Sequence, residues 1–215
     1  MLCFIATDAK LVQPLLQQVL SRAVDVSFNC VTVDGDTSSN DACVLMASGL
    51  SLAAAITQDS PHYAAFAAAV EAVCKELSEA IARDGEGASK LMRIQVESAK
   101  TATEAHQVAN TVALSPLVKT AFFASDPNWG RVLAAVGRTG CDNLDISRIT
   151  IDINQVRIVA NGGRAPGYSE AAGQTAMAPE EITVRIDLGR GTGVCEVLTC
   201  DFSFDYVKIN AEYRT

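Results

Sequence analysis

Apolar runs of strand length alternate with segments of helical periodicity along the whole chain of 215 residues. The apolar run 1–7 predicts a strand, and leucines and valines at helical spacing predict a helix over about 10–25. The Ala-rich segment 59–85 is the clearest helix, because alanine favours helix and Gly85 suits its end. This alternation predicts a mixed α/β (α+β) fold.

The remaining segments continue the same alternation, and a polar, glycine-containing segment, 83–90, separates two parts of it. We therefore predict two subdomains, 1–87 and 88–215. The further predicted elements are strands over 28–33, 42–48, 91–99 and 117–124, two strands within 181–203, a hairpin over 149–159, a helix over 103–114, and a turn followed by a helix over 125–140.

Composition excludes several classes of function. Hydrophobic residues make up 49% of the chain, which is enough for a well-packed core. The formal net charge is −8, and Lys and Arg are not clustered, so neither nucleic acid nor an anionic membrane surface is an expected partner. No secretory leader is visible, and no apolar stretch approaches the ~18 residues of a membrane span. A cytoplasmic protein is expected.

Cysteine and histidine usage bears on metal and redox chemistry. The chain has seven cysteines and no C-x-x-C pair, which predicts reduced thiols. Neither histidine, His62 or His106, has a neighbour at ligand spacing. The sequence therefore predicts neither a zinc site nor a histidine-based catalytic triad.

The stretch "VTVDGDTSSNDACVLMAS", residues 31–48, concentrates oxygen-bearing side chains between two apolar runs. Its start imitates a calcium-binding EF-hand loop. However, Ser39 stands where that loop needs glycine, and Leu45 stands where it needs glutamate. No metal is therefore expected. A tight turn and the wall of a substrate pocket both remain open for its three aspartates, which are Asp34, Asp36 and Asp41.

Other polar clusters also have structural explanations. "GRGTG" (189–193) could approach a phosphate, but no helix follows it, which favours a hairpin turn. Asn128 or Asp126 is placed to cap a helix, although a helix start can also bind an anion. Glu86 lies between two glycines, so it is either a solvated loop acid or a carboxylate that the backbone turns into a cleft. None of these patterns by itself names a reaction.

Four stretches together carry a family resemblance: "MLCFIATDA" (1–9), "SFNCVTVDGDTSSND" (27–41), "SPLVKTAFFASDPNWGR" (115–131) and "INAEYRT" (209–215). The chain resembles, from its first residue to its last, the β chain of ornithine acetyltransferase, the bifunctional glutamate N-acetyltransferase of arginine biosynthesis. The resemblance implies a layered α-β sandwich of the aminopeptidase/ornithine acetyltransferase type with two subdomains.

Further expectations follow from the resemblance alone. The family's precursor cuts itself before a threonine, and this freed threonine is the catalytic nucleophile. It is expected immediately before Met1 and is not in this sequence. The resemblance assigns substrate binding to three residues of this chain, Glu86, Asn210 and Thr215. It also implies an α chain as partner in an α2β2 heterotetramer, which would cover the apolar start of this chain.

The implied reaction is acetyl transfer from N-acetylornithine to glutamate through an acetyl-threonine. It needs no cofactor, although acetyl-CoA serves as co-substrate in some members. Two alternatives remain open at this point. One is an N-terminal-nucleophile aminopeptidase or amidase of related fold, which would release the acyl group to water. The other is an inactive partner subunit or a calcium-binding module.

Overall fold

The computed structural model describes residues 1–213, which form two compact units. One unit comprises Met1–Asn29 and Asp36–Glu79, and the other comprises Cys30–Gly35 and the chain from Ala80 onward. The predicted division into 1–87 and 88–215 stays a prediction about domains.

The first unit is built on two parallel strands, β1 (Leu2–Thr7) and β2 (Ala42–Ala47). Helix α1 (Gln13–Asp25) lies between them in the sequence, and helix α2 (Tyr63–Arg83) follows them and ends in the second unit. Both helices pack on one face of the pair. Their core consists of Val19, Leu20, Ala23, Leu45, Val70 and Cys74.

The opposite face of this strand pair is apolar and exposed. Leu2 and Phe4 of β1 keep 69% and 66% of their surface accessible. Val44 and Met46 of β2 are exposed as well, and strand alternation places all four on the same side. We call these four residues the apolar sheet face. Parallel strands are normally covered on both faces, so this face is suited to being covered.

The second unit is built on a six-stranded sheet in the order β6-β5-β4-β7-β3-β8. Strand β7 runs parallel to β3, and every other neighbouring pair is antiparallel. The strands are β3 (Leu91–Ala99), β4 (Thr150–Ile153), β5 (Val156–Ala160), β6 (Gly163–Arg164), β7 (Glu181–Asp187) and β8 (Gly193–Cys200).

Helices cover one face of this sheet and leave a polar face opposite. In β3, Met92 and Ile94 are fully buried, whereas Arg93 and Gln95 point to the other side and bond to Glu196. The covering helices are α3 (Ala102–Ala113), α4 (Pro116–Phe123), α5 (Trp129–Gly137) and α6 (Glu170–Met177), and α7 (Phe204–Glu212) follows β8. The mixed α/β class is confirmed, and so is the hairpin predicted over 149–159.

The strand predicted over 117–124 is wrong, because this segment is helix α4. Pro116 occupies the first turn, where a missing N–H does not matter. Val118 and Phe122 lie four residues apart and are both fully buried, while Leu117 is exposed. A short apolar run does not distinguish a strand from a buried helix.

Two further strand predictions need correction. Residues Phe28–Cys30 form a 3-10 helix, after which Val31 makes an isolated parallel bridge to Leu198. The two strands predicted within 181–203 exist as β7 and β8, but they are not a hairpin, since β3 lies between them. Gly191 crosses the end of β3 so closely that an added Cβ would lie 2.2 Å from the Ala99 carbonyl oxygen. Helices α6 and α7 were not predicted.

None of the helices in the described part of the chain combines the length and apolarity that a membrane crossing requires.

Candidate substrate-binding site

Glu86 lies in the turn between α2 and β3, and its neighbour Gly87 allows this turn to lie directly against α7. Gly87 has a φ of +67°, and an added Cβ would lie 2.4 Å from the backbone nitrogen of Tyr206. The Ser203 hydroxyl donates a hydrogen bond of 2.5 Å to the Gly87 carbonyl. The turn is therefore in direct contact with the start of α7, and a side chain at position 87 would separate the two.

Asn210 lies on α7 and meets Glu86 directly. Its Nδ2 donates to Glu86 Oε2 at 2.8 Å and to the Tyr206 carbonyl at 3.0 Å. Its Oδ1 and Glu86 Oε1 have no hydrogen-bond partner within residues 1–213. Both side chains are exposed, so these two acceptor oxygens are open to a ligand. A cationic group with several donors, such as an ammonium, fits such a pair.

Helix α7 is fixed at its N-terminus. Ser203 is its N-cap, and the Ser203 hydroxyl accepts from the Tyr206 N–H at 3.2 Å. The Tyr206 ring stacks on Phe202, with ring centroids 4.7 Å apart. Such capping stabilises a helix by about 1 kcal/mol. The position of Asn210 therefore depends on the junction between β8 and α7.

Asp34 contributes a carboxylate to the same region. The Tyr206 hydroxyl donates to Asp34 Oδ2 at 3.1 Å. The segment that carries Asp34 is tied to β8 by the Val31–Leu198 bridge and by a 3.0 Å bond from the Thr32 N–H to the Leu198 carbonyl. Asp34 is thus linked through Tyr206 to the helix that carries Asn210, and the pocket-wall alternative for it stays a prediction.

Another aspartate of that sequence stretch has a separate role. Asp41 accepts a hydrogen bond from the backbone nitrogen of Met1. Within residues 1–213, no three histidine, cysteine, aspartate or glutamate side chains are grouped as metal ligands.

Asp201 anchors the chain that follows Glu86. It is 1% exposed and accepts from the backbone N–H groups of Ser89 and Lys90, each at 2.8 Å. The Ser89 hydroxyl donates to its other oxygen at 2.5 Å. The carboxylate therefore holds the Glu86 turn against the end of β8.

Lys119 of α4 packs against the junction between β8 and α7 and is 1% exposed. Its Nζ donates to Thr199 Oγ1 at 2.7 Å and to the Cys200 carbonyl, and it lies 4.5 Å from the centroid of the Phe202 ring. Burial lowers the pKa of this amine to about 8, although Cys200, Asp201 and Asp34 act in the opposite direction. Lys119 was not among the residues predicted from the sequence. A lysine inside the apolar run 117–124 was the available signal.

The other polar clusters have structural roles. Asn128 caps α5, since its Oδ1 accepts from the Arg131 N–H at 3.1 Å, and its Nδ2 donates to Asp126 at 3.0 Å. All seven cysteines are free thiols. Burial raises the pKa of Cys200 and, together with the neighbouring Cys3, that of Cys43, the latter to about 12.

The whole sequence, residues 1–215, matches the ArgJ family. The chain belongs to the ArgJ family. It is 63% identical over 215 residues to the "Arginine biosynthesis bifunctional protein ArgJ" of Methylococcus capsulatus, and 51% identical over 216 residues to the protein of the same name from Psychrobacter arcticus. In both comparisons the whole of this chain is covered, but only 53% of the relative. The chain thus spans about half the length of these relatives.

An ArgJ protein of known structure has the same fold. The crystal structure of the arginine biosynthesis bifunctional protein from Bacillus halodurans, determined at 2.00 Å resolution, matches with a TM-score of 0.94 and 39% sequence identity. The match covers 99% of this chain and 100% of the crystallised chain. The resemblance to this family is therefore confirmed for both sequence and fold.

Of the three residues that the ArgJ resemblance assigns to substrate binding, two are brought together. Glu86 and Asn210 share a hydrogen bond although they belong to different elements. Thr215 lies outside the described residues. The supporting residues were not predicted from the sequence; they are Asp201, Ser203, Tyr206 and Lys119.

Proposed function

We propose that this chain is the β chain of a cytoplasmic glutamate N-acetyltransferase of arginine biosynthesis. In the proposed reaction, an acetyl group moves from N-acetylornithine to glutamate through an acetyl-threonine intermediate. Membership of the ArgJ family and the names of the relatives support the pathway. The observation that carries the proposal is the pairing of Glu86 with Asn210 on a fixed, glycine-bounded turn.

The paired acceptor oxygens suit the substrates of this reaction. N-acetylornithine carries a side-chain ammonium, and Glu86 with Asn210 offers it one carboxylate oxygen and one amide oxygen. Glu86 has a second possible role, as proton shuttle at the amine that leaves when the acetyl group is transferred. The two roles predict different responses to a donor that lacks the side-chain amine.

In this proposal the nucleophile is a threonine immediately before Met1. A hydroxyl is a weak nucleophile near neutral pH and needs a base. An N-terminal threonine carries its own α-amine, whose ordinary pKa is about 8, so cleavage of the precursor creates nucleophile and base together. The relative from Methylococcus capsulatus is covered over 53% of its length and the Bacillus halodurans crystal chain over 100%, which supports a protein cut into two chains.

The partner in the proposal is the α chain from the same precursor, in an α2β2 heterotetramer. The apolar sheet face supports such a partner, because large exposed apolar patches mark interaction surfaces. The α chain would also supply the hydrogen-bond donors for the oxyanion of the tetrahedral intermediate. Loss of one such donor typically raises the barrier by ~3 kcal/mol.

The deciding experiment uses the complete two-chain enzyme with the single change Glu86→Gln. We expect kcat for ornithine release in the presence of glutamate to fall by about a hundredfold or more, as for loss of a general acid or base. The matched control is Glu76→Gln, the same change at an exposed position of α2. Unchanged kinetics in the Glu86→Gln enzyme would remove Glu86 from the site.

A second substrate separates the two roles of Glu86. N-acetylnorvaline has the carbon skeleton of N-acetylornithine without the side-chain amine. If Glu86 binds the ammonium, the Glu86→Gln penalty shrinks with this donor, whereas a proton shuttle keeps the penalty unchanged. Release of acetate to water at a rate independent of glutamate would instead identify an amidase and overturn the transferase.

A further inference from the structure

Lys119 is a buried cation whose contacts are neutral. Its hydrogen-bond acceptors are the Thr199 hydroxyl and the Cys200 carbonyl, and Phe202 provides the aromatic face. Within residues 1–213 no carboxylate forms an ion pair with it. An ammonium without a direct counter-ion is expensive to bury, so the presence of Lys119 here points to a role beyond packing.

Two carboxylates lie near enough to act on Lys119 electrostatically, Asp34 and Asp201. Each of them holds one half of the candidate site. Asp201 accepts three hydrogen bonds from Ser89 and Lys90 and thereby anchors the turn that carries Glu86. Asp34 accepts from the Tyr206 hydroxyl and thereby restrains the helix that carries Asn210.

The aromatic pair connects the same parts by packing. The Lys119 ammonium lies over the Phe202 ring, and the Phe202 ring stacks on the Tyr206 ring. In addition, the Phe202 N–H donates to the Lys119 carbonyl at 3.3 Å, which ties α4 to the junction between β8 and α7. A substitution of Lys119 is therefore expected to alter the positions of both Tyr206 and Asp34.

We propose that Lys119 is a positioning residue, whose buried ammonium, packed on Phe202, holds Asp34 and Asp201 in place so that Glu86 and Asn210 present their acceptor oxygens together. This inference rests on the proposed function of Glu86 and Asn210 as substrate-binding residues. The positions of Glu86 and Asn210 then depend on the buried charge of Lys119, which does not touch the substrate.

The test uses the complete two-chain enzyme and the variant Lys119→Met, which leaves a flexible side chain only one heavy atom shorter and removes its charge. We expect kcat/KM for N-acetylornithine to fall by between about tenfold and a hundredfold, the size of effect produced by misplaced catalytic groups. The matched control is Lys75→Met, the same change at an exposed lysine of α2, for which we expect wild-type kinetics.

A double-mutant cycle distinguishes positioning from a general loss of stability. If Lys119 acts through Glu86, then Lys119→Met combined with Glu86→Gln is no worse than Glu86→Gln alone. A merely structural role gives losses that multiply. Full multiplication of the two effects, or wild-type kinetics for Lys119→Met, would overturn the inference.

Tyr206→Phe keeps the proposal testable if Lys119→Met fails to fold. This variant retains the stack on Phe202 and removes only the hydroxyl that donates to Asp34. We expect its loss of kcat/KM to disappear in the Glu86→Gln background as well, and an undiminished loss there would overturn the inference. Wild-type kinetics of Glu86→Gln itself would instead refute the proposed function, so the two failures are distinguishable.

Discussion

Glu86 and Asn210 lie 124 positions apart in the sequence and are joined by a hydrogen bond of 2.8 Å. The bond uses one amide hydrogen of Asn210, and the other is used by the Tyr206 carbonyl of the same helix. Because both hydrogens are engaged, the orientation of the Asn210 amide is determined. Its Oδ1 points away from Glu86 Oε2 and from the Tyr206 carbonyl. The candidate site is thus ordered without a ligand, and such order reduces the entropy that is lost when a ligand binds.

Asn210→Ala should weaken substrate binding more than turnover. The change removes one of the two acceptors that we propose for the substrate ammonium, and it frees Glu86 from its 2.8 Å bond. We expect KM for N-acetylornithine to rise about tenfold, since a hydrogen bond to a charged group contributes roughly 1.5–3 kcal/mol. Lys208→Ala on the same helix is the control, and steady-state kinetics of the complete enzyme are the measurement. A KM equal to that of the control would exclude Asn210 from the site.

Gly87→Ala should both destabilise the protein and reduce its activity. The new methyl group would meet the Tyr206 backbone nitrogen at 2.4 Å, so the turn and α7 must separate. Gly140→Ala is a matched control, because Gly140 also has positive φ (+75°) but has no atom within 4 Å of an added Cβ. Both variants lose about 1–2 kcal/mol to the backbone conformation.

Only the Gly87 variant should lose the further ~1–3 kcal/mol that overpacking typically requires. Thermal unfolding of the complete enzyme measures the difference. Equal melting temperatures for the two alanine variants would show that a methyl group at position 87 fits between the turn and α7 without displacing either.

The stability of the protein should rise between pH 8 and pH 10.5 through Lys119. Its pKa in the folded protein is about 8, below the ordinary value of 10.5. In this interval the unfolded chain binds a proton that the folded protein does not, so the free energy of unfolding increases with pH. The shift corresponds to roughly 3 kcal/mol in total.

Lys119→Met should remove this increase, because methionine does not titrate. The measurement is the difference in unfolding free energy between wild-type and variant enzyme as a function of pH, which cancels the other titrating groups. Lys75→Met should leave the profile unchanged. A wild-type-minus-variant difference that is flat with pH would show that the amine titrates normally.

The apolar sheet face should make the separated chain prone to aggregate. Leu2 and Phe4 expose 69% and 66% of their surface on a parallel strand pair. We expect the chain, when it is produced without its proposed partner, to associate at micromolar concentration in light scattering. Phe4→Ser should reduce this association. Leu52→Ser should not, although Leu52 is fully exposed, because it is not part of this face. A monodisperse wild-type chain would contradict the expectation.

Local patterns in the sequence were sufficient for elements whose periodicity is long or whose ends are marked. The helix α3, for example, is capped by Thr101, whose side chain accepts from the Glu104 N–H. Local patterns were insufficient for α4, because a short apolar run fits both the strand and the helix period. They were also insufficient for β7 and β8, because the turn between these strands does not reveal that β3 lies between them in the sheet. The resemblance to the ArgJ family supplied Glu86 and Asn210, but not their contact.

By itself, the sequence determined the mixed α/β class, the family, and the glycines that allow the Glu86 turn its shape. These properties are encoded locally, in spacing, motif and backbone freedom. The tertiary structure alone decided that Asp34 meets Tyr206 across 172 positions and that Lys119 meets Thr199 across 80. Such pairings depend on which strands lie side by side and on how deeply a charge is buried. Neither property can be derived from any one segment of the chain, because each arises only when distant segments pack together.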